Sequence, residues 1–286
     1  MTEIVEVQAS DQDAIVKFLL KELGGKEEPY RRLFRYSELF ETHDGVRPPL
    51  GSCVKDANGE ILGFLGCLCH FSTQYGGRWV VNMSSWVVHP KARSSSLKLL
   101  QHFLSDRSKI YTNFSATPSV QRILPRFGFI EIDDKELRYS AYPFMLSGWM
   151  RGLRTKVGNA AVARFAGTEK EKVLSDHLAL GCIVLSPTPK SAYVFLKRNY
   201  GRAHALQLIH FFNLNSDQLS KDWGALCFAS VFKCRATRLI IDSRYAPESK
   251  KNIEVKDRRM FVRGVQDGEP IPTRAYSEPI QDFGRF

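Results

Sequence analysis

The sequence lacks any apolar run approaching the ~18 residues of a membrane-spanning helix, so none is expected. Its start, Met1-Thr2-Glu3-Ile4-Val5-Glu6, lacks the basic and apolar regions of a secretory signal, which points to a cytoplasmic protein. It lacks the C-x-x-C spacing of zinc and redox motifs, its six cysteines being Cys53, Cys67, Cys69, Cys182, Cys227 and Cys234. Cys67-x-Cys69 falls in a strand-like run, where residues two apart share a face. That pair reads as packing, with no metal site expected, and the set as reduced thiols. Asp and Glu are absent between Arg78 and Lys98, which removes the simplest general bases from that stretch.

What is present is globular: 286 residues, 43% apolar and 25% charged, enough for one large domain or two ordinary ones. The charge is uneven. Residues 1–142 carry 18 Lys and Arg against 17 Asp and Glu, whereas residues 143–286 carry 23 against 13. The second half therefore suits an anionic partner such as a glycan, a lipid surface or a nucleic acid, or simply has a basic solvated surface. No compact Lys/Arg run with interleaved aromatics is present, which disfavours nucleic acid.

In the first half, Glu3–Val7 alternates as a strand. Ala14, Ile15, Phe18, Leu19 and Leu23 fall at helical spacing before Gly24-Gly25, and a second helix is expected over Tyr30–Phe40. His43–Pro49 reads as loop. Ser52–Lys55 and Ile61–Phe71 flank the turn Asp56-Ala57-Asn58-Gly59. Arg78–Val88 is the next strand, ended by Pro90. A helix follows Arg93, with Leu97, Leu99, Leu100, Phe103 and Leu104 as its buried face. Lys109–Ser115 is a strand, Pro118 opens a short helix, and Gly128 closes it in a left-handed cap. Phe129–Ile132 and Leu137–Tyr142 are expected as two returning strands. The whole is a mixed, mostly antiparallel sheet flanked by helices, an α/β class.

A strand that runs through Val88-His89-Pro90-Lys91-Ala92-Arg93 into a helix can bind phosphate, because first-turn amides and the helix dipole favour an anion. Together with the element order and Gly128-Phe129, this stretch resembles the GCN5-related N-acetyltransferase (GNAT) superfamily over about residues 1–142. In that family Val-x-Pro precedes Arg or Gln-x-x-Gly-x-Gly or Ala. Here Arg93-Ser94-Ser95-Ser96-Leu97-Lys98 occupies the loop, with Ser96 and Lys98 where glycine or another small residue is usual. The family's Asn-x-x-Ala-x-x-Leu-Tyr corresponds to Thr117, Val120, Ile123 and Leu124, so the tyrosine often used as acid is missing. The resemblance implies acetyl-CoA or another acyl-CoA as substrate. Trp86, Val87 and Val88 would hold its arm, Arg93, Ser94, Ser95, Ser96, Leu97 and Lys98 its pyrophosphate, and Asn113 and Ser115 would face the arm. Ser84, through an ordered water, and His70, with its intrinsic pKa, are the candidate bases; His89 is a weaker one.

In the second half, Phe144–Phe165 is a basic amphipathic stretch with Arg151, Arg154 and Lys156. It reads as a connecting helix or as one that lies on an anionic membrane. Strands are expected at Cys182–Leu185, Ala192–Lys197, Ala203–Leu214 and Leu239–Asp242, with a helix at Asp217–Cys234. Arg258–Val262 and Arg274–Ile280 would finish that sheet. This order repeats that of the first half and suggests two tandem GNAT-like domains, 1–142 and 143–286. The second would be degenerate, since its loop Asn213–Asp217 has neither arginine nor glycine, and would shape the acceptor site. The expected function is acyl transfer to an amine or hydroxyl of a small-molecule or glycan acceptor, with an anionic acceptor and a peripheral membrane contact both compatible with the charge. The alternative is a non-catalytic GNAT-fold module that binds an anionic partner.

Overall fold

A computed structural model describes residues 2–39, 50–72, 75–114, 116–200, 203–211, 216–246, 254–267, 269 and 272. The expected loop His43–Pro49, Ser115, residues 213–215 of the second loop, and the strand Arg274–Ile280 lie outside them. In chain order the elements are β1 (Glu3–Glu6), α1 (Gln12–Leu23), α2 (Glu27–Leu39), β2 (Gly51–Lys55), β3 (Ile61–Ser72), β4 (Arg78–Val88), α3 (Ser96–Phe103), β5 (Ile110–Asn113), α4 (Pro118–Ile123) and β6 (Ile130–Ser140). There follow α5 (Tyr142–Met145), α6 (Trp149–Arg154), β7 (Lys156–Val157), α7 (Asn159–Val162), α8 (Glu169–Ala179), β8 (Ile183–Thr188), β9 (Ser191–Tyr200), β10 (Ala203–Phe211), α9 (Ser216–Phe232), β11 (Arg238–Asp242) and β12 (Glu254–Arg263).

The chain divides into two compact units. One comprises 1–132, 259–272 and 280–286; the other comprises 133–258 and 273–279. In the first, strands run in the order β1-β2-β3-β4-β5-β12, and among the described pairings β4 and β5 alone are parallel. α3 is the crossover that this parallel pair requires. In the second, the order is β7-β8-β9-β10-β11-β6, and among the described pairings β10 and β11 alone are parallel, with α9 as crossover. The two topologies match strand for strand.

Local chemistry explains the first unit's turns. Gly24 adopts φ 69° past α1 and donates to Leu20 O at 2.9 Å. Asp56 Oδ1 accepts from the amides of Asn58 and Glu60, both at 2.8 Å, so its side chain ties the β2–β3 turn. Alternation then sorts the strands: Cys53 joins the cluster under α1 and α2 with Ile15, Leu19 and Phe64, while Val54 joins the cluster under α3 with Leu99, Leu100 and Met83. Cys67 and Cys69 share that second face, 3.5 Å apart at sulfur.

Three expectations need correction, and one helix is unexpected. β6 is one continuous strand, so Phe129–Ile132 and Leu137–Tyr142 do not form a returning pair; the side of Glu136–Ser140 that such a pair would use is taken by β11. Phe261–Arg263 pairs with β5, because Met260, Phe261 and Val262 find their buried partners in the first unit. The compact units part at 132/133, inside β6, and at 258/259, inside β12. The connecting helix is broken into α5, α6, β7 and α7, with Gly158 at φ 60° between the last two. α8 went unread: Thr168 opens it and Leu174 and His177 are its buried residues.

In the second unit α9 seats Leu219, Trp223, Leu226 and Cys227 against Tyr139, Tyr193, Phe195 and Leu239. The Tyr193 hydroxyl donates to buried Asp222 Oδ2 at 2.9 Å. α5 and α6 lie along α9 through glycines: a methyl at Gly148 would overlap the backbone of Gly224 and Ala225, and one at Gly152 would meet the Phe228 ring at 2.6 Å. Gly148→Ala should therefore lower stability by about 1–3 kcal/mol, the usual cost of overpacking, read from the denaturant midpoint; an unchanged midpoint would mean that this helix does not sit on α9. All six cysteines are buried and outside any disulfide, and burial pushes the thiols of Cys53 and Cys234 up to about 11 and that of Cys182 to about 12. A thiol reagent at pH 8 should react slowly with the folded chain and with all six cysteines in denaturant; fast titration of the folded state would contradict this packing.

Candidate functional site

β4 is paired to β5 only at Val80↔Ile110, Val81↔Tyr111 and Asn82↔Thr112. The last rung is fastened by the Thr112 hydroxyl, which donates to Asn82 Oδ1 at 3.2 Å between two buried side chains. Beyond it β4 continues to Val88 against β3 alone. Peptide groups alternate sides along a strand, so every second one from Met83 to Val88 turns toward the gap that β5 leaves.

A bulge sits in that gap. Leu65 pairs with Trp86 and Cys67 with Met83, so Ser84 and Ser85 together oppose Gly66. The extra residue changes the phase of the strand. Met83 and Trp86, three apart, pack in the same cluster under α3, while Val87 turns to the α1 side. Gly66 is what permits it, since a Cβ there would lie 2.7 Å from the Phe64 ring and from Ser84 Oγ. The sequence carried this signal unread: an isolated glycine inside a strand marks a bulge or a close approach.

Three buried polar atoms along these five residues have no protein partner: Asn82 Nδ2, Ser84 Oγ and Trp86 Nε1. Leaving such a group unsatisfied costs about 1–3 kcal/mol, so a cluster of them calls for an explanation.

After β4, His89 caps a 3₁₀ turn over Pro90–Ser95, its Nδ1 accepting from the Lys91 amide at 3.2 Å and its carbonyl from the Ala92 amide at 2.9 Å. His89 is thus engaged as a cap. The turn also uses the Ser96 amide, which bonds to Arg93 O. Fewer amides face outward than the sequence suggested, and what faces solvent instead is side chains. Arg93, Ser94, Leu97 and Lys98 are exposed, Ser96 is half-buried and Ser95 is buried. Leu97, expected in the buried face of α3, is 50% exposed, and Leu99, Leu100 and Phe103 carry that face. No acidic residue lies in the first turn of α3. Arg93 and Lys98 therefore leave the start of α3 positive, where the dipole adds to their field.

The other candidates are spread out. Val87 and Val88 are half-buried on β4, and Asn113 is buried at the end of β5, opposite Phe261. His70 pairs with Val80, four residues along β3 from the glycine that faces Ser84, a separation of roughly 13 Å. Ser84 and His70 are not brought together. Leu124, where the family tyrosine would stand, is fully buried. Among the described residues no cluster of three His, Cys, Asp or Glu could hold a metal, and no helix is long and apolar enough to cross a membrane.

The second unit repeats the device with different chemistry. β10 and β11 pair in parallel up to Gln207↔Ile240, and β10 then bulges at Ile209. The opening is a small cleft whose polar lining is Glu136, Gln207, Asp242, Arg244 and Tyr245. Glu136 is buried beside Arg138 at 3.1 Å, and Arg244 is bonded to Asp242. Each cation is matched by a carboxylate, so this opening does not offer the unbalanced positive field that the start of α3 offers.

The fold is that of the GCN5-related N-acetyltransferases. A structure of such a protein from Kribbella flavida superposes with a TM-score of 0.58 at 14% identity, over 92% of this chain and 70% of that one. Another from Anabaena variabilis gives 0.57 at 11% identity, over 93% and 73%. A protein from Enterococcus faecalis described as a probable N-acyltransferase gives 0.54 at 6% identity, over 92% and 72%. No protein-family model and no curated protein matches the sequence. Gly66→Ala, which drives a methyl into Phe64 and Ser84, should lower stability by about 1–3 kcal/mol; a denaturant midpoint equal to that of the parent chain would show that the bulge is not built as described.

Proposed function

We propose that the chain is an acyltransferase that moves an acetyl or other acyl group from acyl-CoA to an amine or hydroxyl of an acceptor. The observation that carries this reading is the run of unpartnered polar atoms on β4, Asn82 Nδ2, Ser84 Oγ and Trp86 Nε1, at the edge that β5 leaves open. The pantetheine arm of coenzyme A is an extended chain with two amides, so it adds to such an edge as a short strand would. Trp86, Val87 and Val88 would bind it through their backbone, and Asn113 from the facing strand. Arg93, Ser94, Ser96 and Lys98 would meet the pyrophosphate with charge and hydroxyls, while Ser95 and Leu97 shape the turn. The structural neighbours agree in type, being named as N-acetyltransferases or a probable N-acyltransferase.

In the reaction the acceptor's nitrogen or oxygen adds to the thioester carbon, the carbon–sulfur bond breaks, and the thiolate leaves and takes up a proton. A β4 amide aimed at the gap would stabilise the oxyanion. Ser84 would order the water that removes the acceptor's proton. With Leu124 in place of the tyrosine, solvent protonates the thiolate. His70 stands too far along β3 to act on the same water directly. The acceptor is a small molecule or glycan, and the basic second half favours one with negative charge. Two observations favour the second reading, a non-catalytic module for an anionic partner: the missing carboxylate on β4 and the missing tyrosine at Leu124.

Calorimetric titration with acetyl-CoA decides first. Absence of both heat and thermal shift removes the acyltransferase reading. Ser96→Glu should weaken binding about tenfold or more by setting a carboxylate beside phosphate. Ser84→Ala should lower kcat about tenfold, followed by thiol release with amino sugars, nucleotide sugars and polyamines. Binding without turnover on any acceptor favours the module.

A further inference from the structure

We propose that the outer face of the segment Tyr142–Arg154, extended by Phe232, docks on an anionic membrane surface. The inference rests on the second unit alone and is independent of the acyl-CoA site.

The segment is apolar on two sides. Through α5, a short 3₁₀ link and α6 it is a nearly continuous helical run. One side, Gly148 and Gly152 with the partly buried Phe144 and Met145, lies on α9 and its core. The other side carries Tyr142, Leu146, Trp149, Met150 and Leu153, which are 51%, 73%, 50%, 62% and 57% exposed. Their spacing, i, i+4, i+7, i+8 and i+11, places all five within roughly 100° of helical arc. Phe232, from the end of α9, is 60% exposed. It follows Phe228, whose ring contacts Gly152, and precedes Lys233, whose Nζ donates to the carbonyls of Leu153 and Thr155 at 2.8 and 2.6 Å. The side chain thus continues the stripe at its C-terminal end. Single exposed apolar residues need no explanation, but six gathered on one face do.

Charge identifies the occupant. Between Leu137 and Thr168 the sequence has no Asp or Glu, yet it has Arg138, Arg151, Arg154, Lys156 and Arg164. Arg151, Arg154 and Lys156 are exposed beside the apolar stripe. Apolar side chains flanked by Arg154 and Lys156, and by Arg151, which is half exposed and 4.0 Å from buried Asp222, with a tryptophan and a tyrosine among them, match the layered chemistry of an anionic bilayer: acyl chains below, phosphates at the level of the cations. A second copy of the chain is a poorer fit. A two-fold contact through this face would set Arg151, Arg154 and Lys156 against their own kind.

The full chain is mixed with vesicles of phosphatidylcholine alone and of phosphatidylcholine with phosphatidylglycerol, and bound protein is read by flotation. Binding is expected to the anionic vesicles and not to the neutral ones, with a blue shift of tryptophan emission from Trp149. The double variant Leu146→Ser/Met150→Ser should weaken it about tenfold or more, since both side chains already face water and their loss leaves the core intact. Arg154→Glu/Lys156→Glu should abolish it at moderate salt. No binding to anionic vesicles at low salt, or binding unaltered in Leu146→Ser/Met150→Ser, overturns the proposal. So does a concentration-dependent dimer that this double variant dissociates, because the face would then belong to a second copy.

Discussion

The Thr112 hydroxyl donates to Asn82 across the last parallel rung between β4 and β5, and past that rung the strands part. The rest of the candidate site depends on that parting. Were β5 to follow β4 further, the peptide groups of Met83–Val88 would close a ladder and nothing could lie there. The bulge at Ser84 and Ser85 works with it by increasing local twist and carrying β4 away from its neighbour. The glycine at position 66 is the residue that makes the bulge sterically possible. A hydroxyl and an indole N–H then sit buried without partners at the place where backbone is also unpaired.

The second unit tests which parts of this device are architecture and which are chemistry. It has the same strand order, the same single parallel pair and a bulge just beyond the last parallel rung. These follow from the topology, because a crossover helix must leave the tip of the central strand to reach the next one. What differs is the lining. Glu136, Asp242 and the Asp242 partner Arg244 face that cleft, whereas the end of β4 leads to Arg93 and Lys98 with no carboxylate in the helix's first turn. The fold provides two openings, and they differ in the charge of their linings. The net charge of the second half is therefore not a property of its cleft; part of it lies on the acid-free segment that carries α5 and α6.

Much of the first unit was legible because its signals are local. The hairpin turn at Asp56–Gly59, the lengths of β3 and β4, and the left-handed Gly128 at φ 78° each depend on a few neighbouring residues. What the sequence hid was non-local. β6 and β12 read as plausible strands from their own residues, but no local pattern says which sheet each will complete, since pairing is decided by distant partners. The site was legible in its position and less so in its detail. Ser84 and Trp86 were marked by place in the strand, whereas the capped 3₁₀ turn at Pro90–Ser95 was not, because serines at 94, 95 and 96 permit a turn that glycines would have opened. α8 escaped for a different reason: its residues Glu169–Ala179 are mostly charged or small, and its apolar face is short.

The glycines at 148 and 152 also bear on why an apolar face is left outside. A glycine inside a helix costs about 1 kcal/mol relative to alanine, and here two stand four residues apart. They let α6 approach α9 backbone to backbone, so the contact is made without large side chains. Leu146, Met150 and Leu153 are consequently not needed for packing on α9, and polar residues at those positions would leave the fold's core as it is. Stability of the unit does not account for their being apolar. A surface outside the unit does, and the cations beside them state its sign.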